Sequence, residues 1–373
     1  MIAILLVFVF EMMLSQPDLA FSHALIADRL LCNFITEHPT PYTHTIGLAS
    51  PVSGIIEDEL LLTFCRLDTQ QMTFMDGRTL EIHQRGKLDG SETVARMPTL
   101  FTDLKEATLY WEVVMRRTGH FIFSAAGATQ AFRLENATEL TIPGRTLVMS
   151  SATFIYSSPY LVPEGLREER DTYLVDIDRW SGSFAPLMEL TYQASSHFQE
   201  IAAVSILRMH ALNTKIITEG TTFTSECSYD KLFFEFQEII ALARIVDDRI
   251  GKFCDQQPSY HFHLNVVPPL FVLLLRCRDR DLRRDALELL RKSQIDGPWD
   301  RFMVAKIGEW IMEIEDDGCD ETSMRPIPEH ARVKLTKVII GMEEKKVVVQ
   351  CVKRTFHAGL PSLEWKETVL TDW

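Results

Sequence analysis

The sequence predicts a mainly α-helical fold, built from helical hairpins and ending in a small C-terminal β-hairpin. Three observations predict it. Apolar residues recur at three- and four-residue steps through most of residues 1–316, which is the spacing of one helix face. Turn residues such as Ser15-Gln16-Pro17-Asp18 and Ile295-Asp296-Gly297-Pro298 interrupt that spacing. Beyond Arg332 the period becomes two: Val333, Leu335, Lys337 and Ile339 share one side of an extended run. The chain therefore divides into a helical domain, residues 1–316, and residues 317–373, an acidic linker with a β appendage. Residues 79–170 are the least legible part.

In chain order, residues 1–35 read as a helical hairpin. Its first helix runs through Met12 and Leu14, and Asp18 suits the positive start of the second. The second helix is expected to bury Leu19, Ala20, Ala24, Leu30, Leu31 and Phe34. Residues 36–56 are rich in His, Pro, Thr, Gly and Ser and read as a loop. Residues 57–75 are helical through Leu60, Leu61, Phe64, Leu67 and Met72. Gly77, Gly86, Gly90 and Pro98 make residues 76–100 mostly irregular. A helix at 104–115 sets Trp111 and Met115 four apart. Residues 119–165 alternate apolar and polar around Ile142-Pro143-Gly144 and read as short strands or loops.

Further helices follow at 171–192, centred on Trp180 and Phe184, and at 200–217, with Val204, Leu207, Ala211 and Leu212 inward. The helix at 229–250 turns Leu232, Phe233, Phe236, Ile239, Ile240, Ala243 and Val246 inward. Residues 266–315 carry two helical patterns. Pro268-Pro269 starts the first, where the missing N–H groups would have no helical partner anyway. Trp299, Met303, Ile307, Trp310 and Ile314 line one face of the second. Trp299 and Trp310, eleven residues apart, are both expected in the core. On that reading Trp310→Ala costs roughly 3–5 kcal/mol. Residues 341–344 form a turn, and Val347-Val348-Val349 completes the hairpin.

Composition narrows the function classes. Against 52 Asp plus Glu stand 38 Lys plus Arg, a net charge of −14. Nucleic-acid affinity comes largely from Lys and Arg neutralising phosphates, so the balance argues against a DNA-binding surface over the whole chain and leaves room only for a local basic patch. The seven cysteines, Cys32, Cys65, Cys227, Cys254, Cys277, Cys319 and Cys351, lie singly, which suits free thiols in a reducing compartment. No Cys-x-x-Cys pair is present to build a local zinc site. The apolar run at 2–10 is far shorter than the ~20 residues of a membrane span. It has Glu11 behind it and no basic residue ahead, unlike a secretory signal. It reads as a buried helix, and no membrane association is expected.

The residues that could carry chemistry fall short of a site. His261-Phe262-His263 puts two imidazoles on one face of a strand, but no nearby Cys, Asp or Glu completes a zinc set. Asp247-Asp248 ends a long helix, and a magnesium-binding acidic helix would carry another acid further along. Here Arg249, Ile250 and Gly251 follow, so a solvated helix end is expected. Ser195-Ser196-His197 lacks a nucleophile elbow, and adjacent helical residues point about 100° apart. Asn136-Ala137-Thr138 matches a glycosylation acceptor, which matters only in a secreted protein. Arg276, Arg278, Arg280, Arg283, Arg284, Arg291 and Lys292 are interleaved with Asp279, Asp281, Asp285 and Glu288. That mixture reads as a solvated helix face laced with local ion pairs. No catalytic or metal-ligating residue and no cofactor is assigned.

The ordered string PPLFVLLLRCRDRDLRRDALELL, then GPWD, then IGEWIMEIE resembles the C-terminal part of the regulatory domain of fungal zinc binuclear-cluster (Zn2Cys6) transcription factors. Residues 5–31, LLVFVFEMMLSQPDLAFSHALIADRLL, look like a helix pair found early in that domain. Residues 58–78, DELLLTFCRLDTQQMTFMDGR, resemble the helix that follows it. Arg179-Trp180 with Phe184, Tyr229-Asp230 with FQEIIALA at 236–243, IPEHARVKLTKV at 327–338 and Leu363-Glu364-Trp365 continue the likeness in order. The family binds DNA through an N-terminal cluster of six cysteines and two zinc ions. No position here matches it, so no zinc-ligand or DNA-contacting residue carries over.

The resemblance implies a regulatory and interaction domain without its own DNA-binding module, not an enzyme, located in the nucleus and linked to a metabolic gene set. It implies protein partners, either transcriptional machinery or a DNA-binding relative, no direct specific nucleic-acid contact, and room for a small effector in the helical core. Two other readings stand beside it: an N-terminally truncated gene model of a full factor, and a repurposed helical enzyme. Cytoplasm is the alternative location.

Overall fold

A computed structural model of the chain describes residues 2–14, 16–37, 50, 56–74, 76–128, 146–149, 162–194, 197–250, 265–292, 299–317, 327–341, 345–357 and 360–371. The architecture is mainly α with an antiparallel sheet towards the C-terminal end. Helices α1 (Ile2–Met13) and α2 (Pro17–Glu37) form the first hairpin, followed by α3 (Asp58–Phe74). In α2 the inward face is Ala20, Phe21, Ala24 and Ala27, whereas Leu19 and Leu30 are exposed. Small residues let α2 approach its neighbours, and the leucines expected inside point out. The side chains of Leu31 and Phe34 lie outside the described residues.

Residues 76–100 are more ordered than their glycines suggest. They hold two short helices, α4 (Leu80–Gly86) and α5 (Ser91–Ala95). Gly86 has a packing reason: a Cβ there would lie 2.5 Å from the His120 ring. Helix α6 (Leu104–Ala128) runs well past the expected end at residue 115, and β1 (Thr146–Met149) follows. The rest of 129–161 lies outside the described residues, as do 38–49, 51–55 and the turn at 295–298. Helices α7 (Leu166–Gln193), α8 (Phe198–Gly220) and α9 (Phe233–Ile250) come next, with a 3-10 turn at Glu226–Leu232 leading into α9. Trp180 of α7, Val204 and Leu212 of α8, and Phe236, Ile239 and Val246 of α9 are buried as their spacing requires.

The first pattern within 266–315 is two helices, α10 (Val267–Arg276) and α11 (Arg280–Lys292), ahead of α12 (Arg301–Asp316). Every residue of α10 is buried. Cys277 turns extended, and Asp279 restarts the helix by accepting from the Asp281 and Leu282 amides at 3.1 and 2.9 Å. Gly308 lets α12 press on α10: a Cβ there would stand 2.6 Å from Leu274 Cδ1. Trp299 is buried edge-on to Phe271, with ring centroids 5.6 Å apart. Trp310 is only half-buried at the margin of the same core. Its truncation is therefore expected to cost about 1–2 kcal/mol rather than the full core penalty. Urea unfolding of Trp310→Ala measures this, and a loss as large as that of Trp299→Ala would contradict it.

Strands β2 (Val333–Gly341), β3 (Lys346–His357) and β4 (Leu360–Leu370) follow, and β1 pairs with β2, so the order among the described residues is β1-β2-β3-β4, all antiparallel. The expected hairpin is thus the middle of a wider sheet. A register shift between Leu335 and Lys337 changes which residues face inward. Before it, Val333 and Leu335 are buried; after it, Val338 is buried and Lys337 and Ile339 are not fully so. One extra residue in a strand transposes the two faces beyond it. Val333, Leu335, Val338, Val347, Val349 and Cys351 share one hydrophobic core with α8–α12.

Candidate functional site

The residues with the strongest local chemistry meet where α10–α12 abut the start of β2. Arg276, Arg278 and Arg283 are buried, which overturns the solvated-face reading for these three. Arg276 Nη1 lies 3.0 Å from each oxygen of Glu226, and its guanidinium covers the Tyr229 ring. Arg278 Nε stands 2.9 Å from Glu315 Oε1. Its Nη1 and Nη2 donate to the carbonyls of Leu275 and Val333, at 2.7 and 3.0 Å. Arg283 donates from Nη1 to Glu315 Oε2 (2.6 Å) and from Nε and Nη2 to the Leu274 carbonyl. Carbonyls at the C-terminal end of α10, which have no helical partner, are thus closed by arginines. Glu315 also accepts from the Val333 amide at 2.8 Å, tying α12 to β2.

Of the other basic residues of this stretch, Arg284 and Lys292 make the expected local pairs, with Asp281 and Glu288 along the exposed side of α11. Arg280 and Arg291 instead pair across to α12, with Asp316 and Glu309.

A second layer lies outside the first. Arg332 holds Asp230 bidentately, at 2.7 Å to each oxygen, and also donates to the carbonyls of Ile327 and Glu226. Glu329 accepts from Ser225 Oγ (2.7 Å) and from the Glu226 and Cys227 amides (3.1 and 2.9 Å), capping the 3-10 turn. Lys334 is buried beside them. A cleft of about 40 Å³ opens here between the 3-10 turn and the β2–β3 face. Burial raises the Glu226 carboxyl, but Arg276, Lys334 and Arg278 outweigh it and hold the group below its usual range. Burial, with Arg276 and Arg354 nearby, brings the Lys334 ammonium down to about 7 against the opposing pull of Glu226.

Sequence reasoning missed Glu226, Glu315, Glu329, Arg332, Lys334 and Arg354. A signal was present for two of the buried charges. Arg283 falls on the stripe of Ala286, Leu287 and Leu290, and Glu315 on that of Ile307 and Ile311. A charge in an apolar stripe is a buried charge with a partner.

A second buried group joins α4 and α6. His83 Nε2 stands 2.6 Å from Asp76, and His83 Nδ1 lies 3.0 Å from His120 Nδ1. Arg78 holds both Asp76 and Asp68. This chain of groups ends on the His120 ring packed against Gly86, which makes it a structural clamp. Burial lowers His120 to about 4 against the opposing pull of Asp68, assisted by His83, Arg116 and Arg78. His210, whose Nε2 donates to the Asn265 carbonyl, is lowered by burial to about 4 as well.

Between about 4 and 6.5 the unfolded chain binds protons on these rings that the folded chain refuses. Their stability contribution is complete above about pH 6.5 and is lost as pH falls towards 4. In His210→Gln the fall in thermal midpoint across that window should be shallower than in the parent. An unchanged slope would contradict the assignment.

The other sequence candidates do not assemble. His261 to His263, Ser195, Ser196 and Asn136 lie outside the described residues. His197 is the exposed N-cap of α8. Asp247 is half-buried and Asp248 exposed at the end of α9. Among the described residues no group of three His, Cys, Asp or Glu is placed to hold a metal ion, and no helix is long and apolar enough to cross a membrane. Cys65, Cys227, Cys277 and Cys351 are free thiols, and burial pushes Cys277 to about 11 and Cys351 to about 12. Comparison with family models, with curated proteins and with solved structures finds no match to this chain.

Proposed function

We propose that this chain is a regulatory and interaction domain of the zinc binuclear-cluster transcription-factor type, working in the nucleus through contact with other proteins. The observation that carries the interaction reading is the outer face of the first hairpin. Ile2, Leu6 and Phe10 of α1, spaced four apart on one face, are 65, 67 and 62% exposed, and Leu14 and, on α2, Leu19, Ile26 and Leu30 are exposed as well. Soluble proteins rarely show such a surface unless something binds it. Its chemistry calls for a partner protein with an apolar contact surface of its own.

The family part of the reading is supported by convergence. The quoted segments at Tyr229-Asp230, 266–315 and 327–338 meet in one charge network, through Arg276 over Tyr229, Arg332 on Asp230, and Glu315 on the Val333 amide.

The test is transcriptional. Tethered to an unrelated DNA-binding domain, the chain should change reporter output several-fold. Leu6→Glu with Phe10→Glu should remove that change while the thermal midpoint stays near the parent's, since both side chains are exposed. A tethered chain without effect, or one indifferent to these substitutions, would sink the reading. The untethered chain, at net charge −14, should bind DNA only weakly, without sequence preference and with affinity lost in modest salt. Nanomolar, sequence-selective binding near physiological salt would contradict this.

A further inference from the structure

We propose that the cleft between the 3-10 turn at Glu226–Leu232 and the outer face of β2–β3 binds a small carboxylate with a short apolar body. The inference rests on the regulatory reading only in regarding that ligand as an effector; the binding itself stands on the geometry of the cleft.

Strand alternation builds the site. Lys334 lies across from Val352, and Arg354 across from Leu363, so these four share the face opposite Leu335 and Cys351. Phe223, Arg332 and the carboxylates Glu226 and Glu329 complete the charged and apolar lining, with Thr224 and Ser225 at its edge. Cations therefore sit at its floor and wall, and the apolar groups Phe223, Val352 and Leu363 supply a surface for a hydrocarbon body.

The local charge balance favours an anion. Among the described residues that line the cleft, the cations Arg332, Lys334 and Arg354 face the carboxylates Glu226 and Glu329. The two carboxylates that border the cleft are already engaged. Glu226 holds Arg276 with both oxygens, and Glu329 takes Ser225 and two backbone amides. Arg354 is only loosely held, 3.8 Å from Glu329 and 3.4 Å from the Thr224 carbonyl. A ligand carboxylate between Lys334 and Arg354 would favour the charged form of Lys334, which burial and the neighbouring arginines suppress. The volume of about 40 Å³ suits a carboxyl head, since a single water needs roughly 10–15 Å³ on the same measure.

Butyrate is the first probe, with inorganic phosphate and chloride as comparisons at equal ionic strength, all on the full chain. Butyrate should raise the thermal midpoint saturably, and more than phosphate or chloride at the same concentration. Lys334→Met and Arg354→Gln should each weaken calorimetric affinity for butyrate at least tenfold. Arg354 is partly exposed, so its variant should fold even if the Lys334 variant does not. A rise no larger than with chloride, tighter binding of phosphate, or unchanged affinity in Arg354→Gln would each overturn the proposal. The hairpin reporter assay does not depend on this cleft, so its outcome separates a failure here from a failure of the regulatory reading.

Discussion

Replacing Glu315 by Gln should cost about 3–5 kcal/mol, because it leaves buried guanidinium charge without its counter-ion. Glu315 is 0% exposed and serves Arg278, Arg283 and the Val333 amide at once. The amide of Gln fills the same space but carries no charge and brings two donors among groups that are themselves donors. A domain of this kind has roughly 5–15 kcal/mol in total, so the substitution should remove a large share of the folded population. Urea unfolding checks it against Arg284→Ala, whose exposed pair with Asp281 should matter by no more than about 0.5 kcal/mol. Equal midpoints for the two variants would mean that Glu315 does not bind the helices to the sheet.

Trp180→Ala should cost a similar amount, about 3–5 kcal/mol, by a different mechanism. The ring is 0% exposed, stacked on Phe184 at 4.5 Å and tilted against Trp111 at 4.8 Å. Its Nε1 donates to the Ala107 carbonyl at 2.9 Å, so truncation opens a cavity and also removes a buried hydrogen bond to α6. Trp180→Phe keeps most of the packing and loses the hydrogen bond, and should fall between parent and Ala. A Phe variant as unstable as the Ala variant would place the cost in the hydrogen bond instead of the packing.

Two kinds of information separate here. Local periodicity was sufficient for the long helices: Phe64 and Leu67 in α3, Trp180 and Phe184 in α7, and Phe236, Ile239 and Ala243 in α9 are buried where their spacing puts them. A helix face is set by residues three and four apart, so the chain announces it locally. Short elements announced less. Helices α4 and α5 have 7 and 5 residues, too few for a period to show between glycines. Helix α6 continues beyond residue 115 because Thr118, Phe121 and Ile122 are packed by the rest of the fold.

The candidate site was the least legible part, for a reason of distance along the chain. Arg276 finds Glu226 and Arg332 finds Asp230 across 50 and 102 residues. In the linear sequence the arginines of 276–292 stand next to Asp279, Asp281 and Asp285, and a local reading pairs them there. Tertiary structure decided otherwise: burying α10 on every side forced its terminal carbonyls to find donors, and the arginines nearest that end turned inward to supply them. Sequence by itself determined which segments are helices and which face of each is apolar. Only the folded chain decided which charges are buried, because burial of a charge depends on a partner that no local pattern contains.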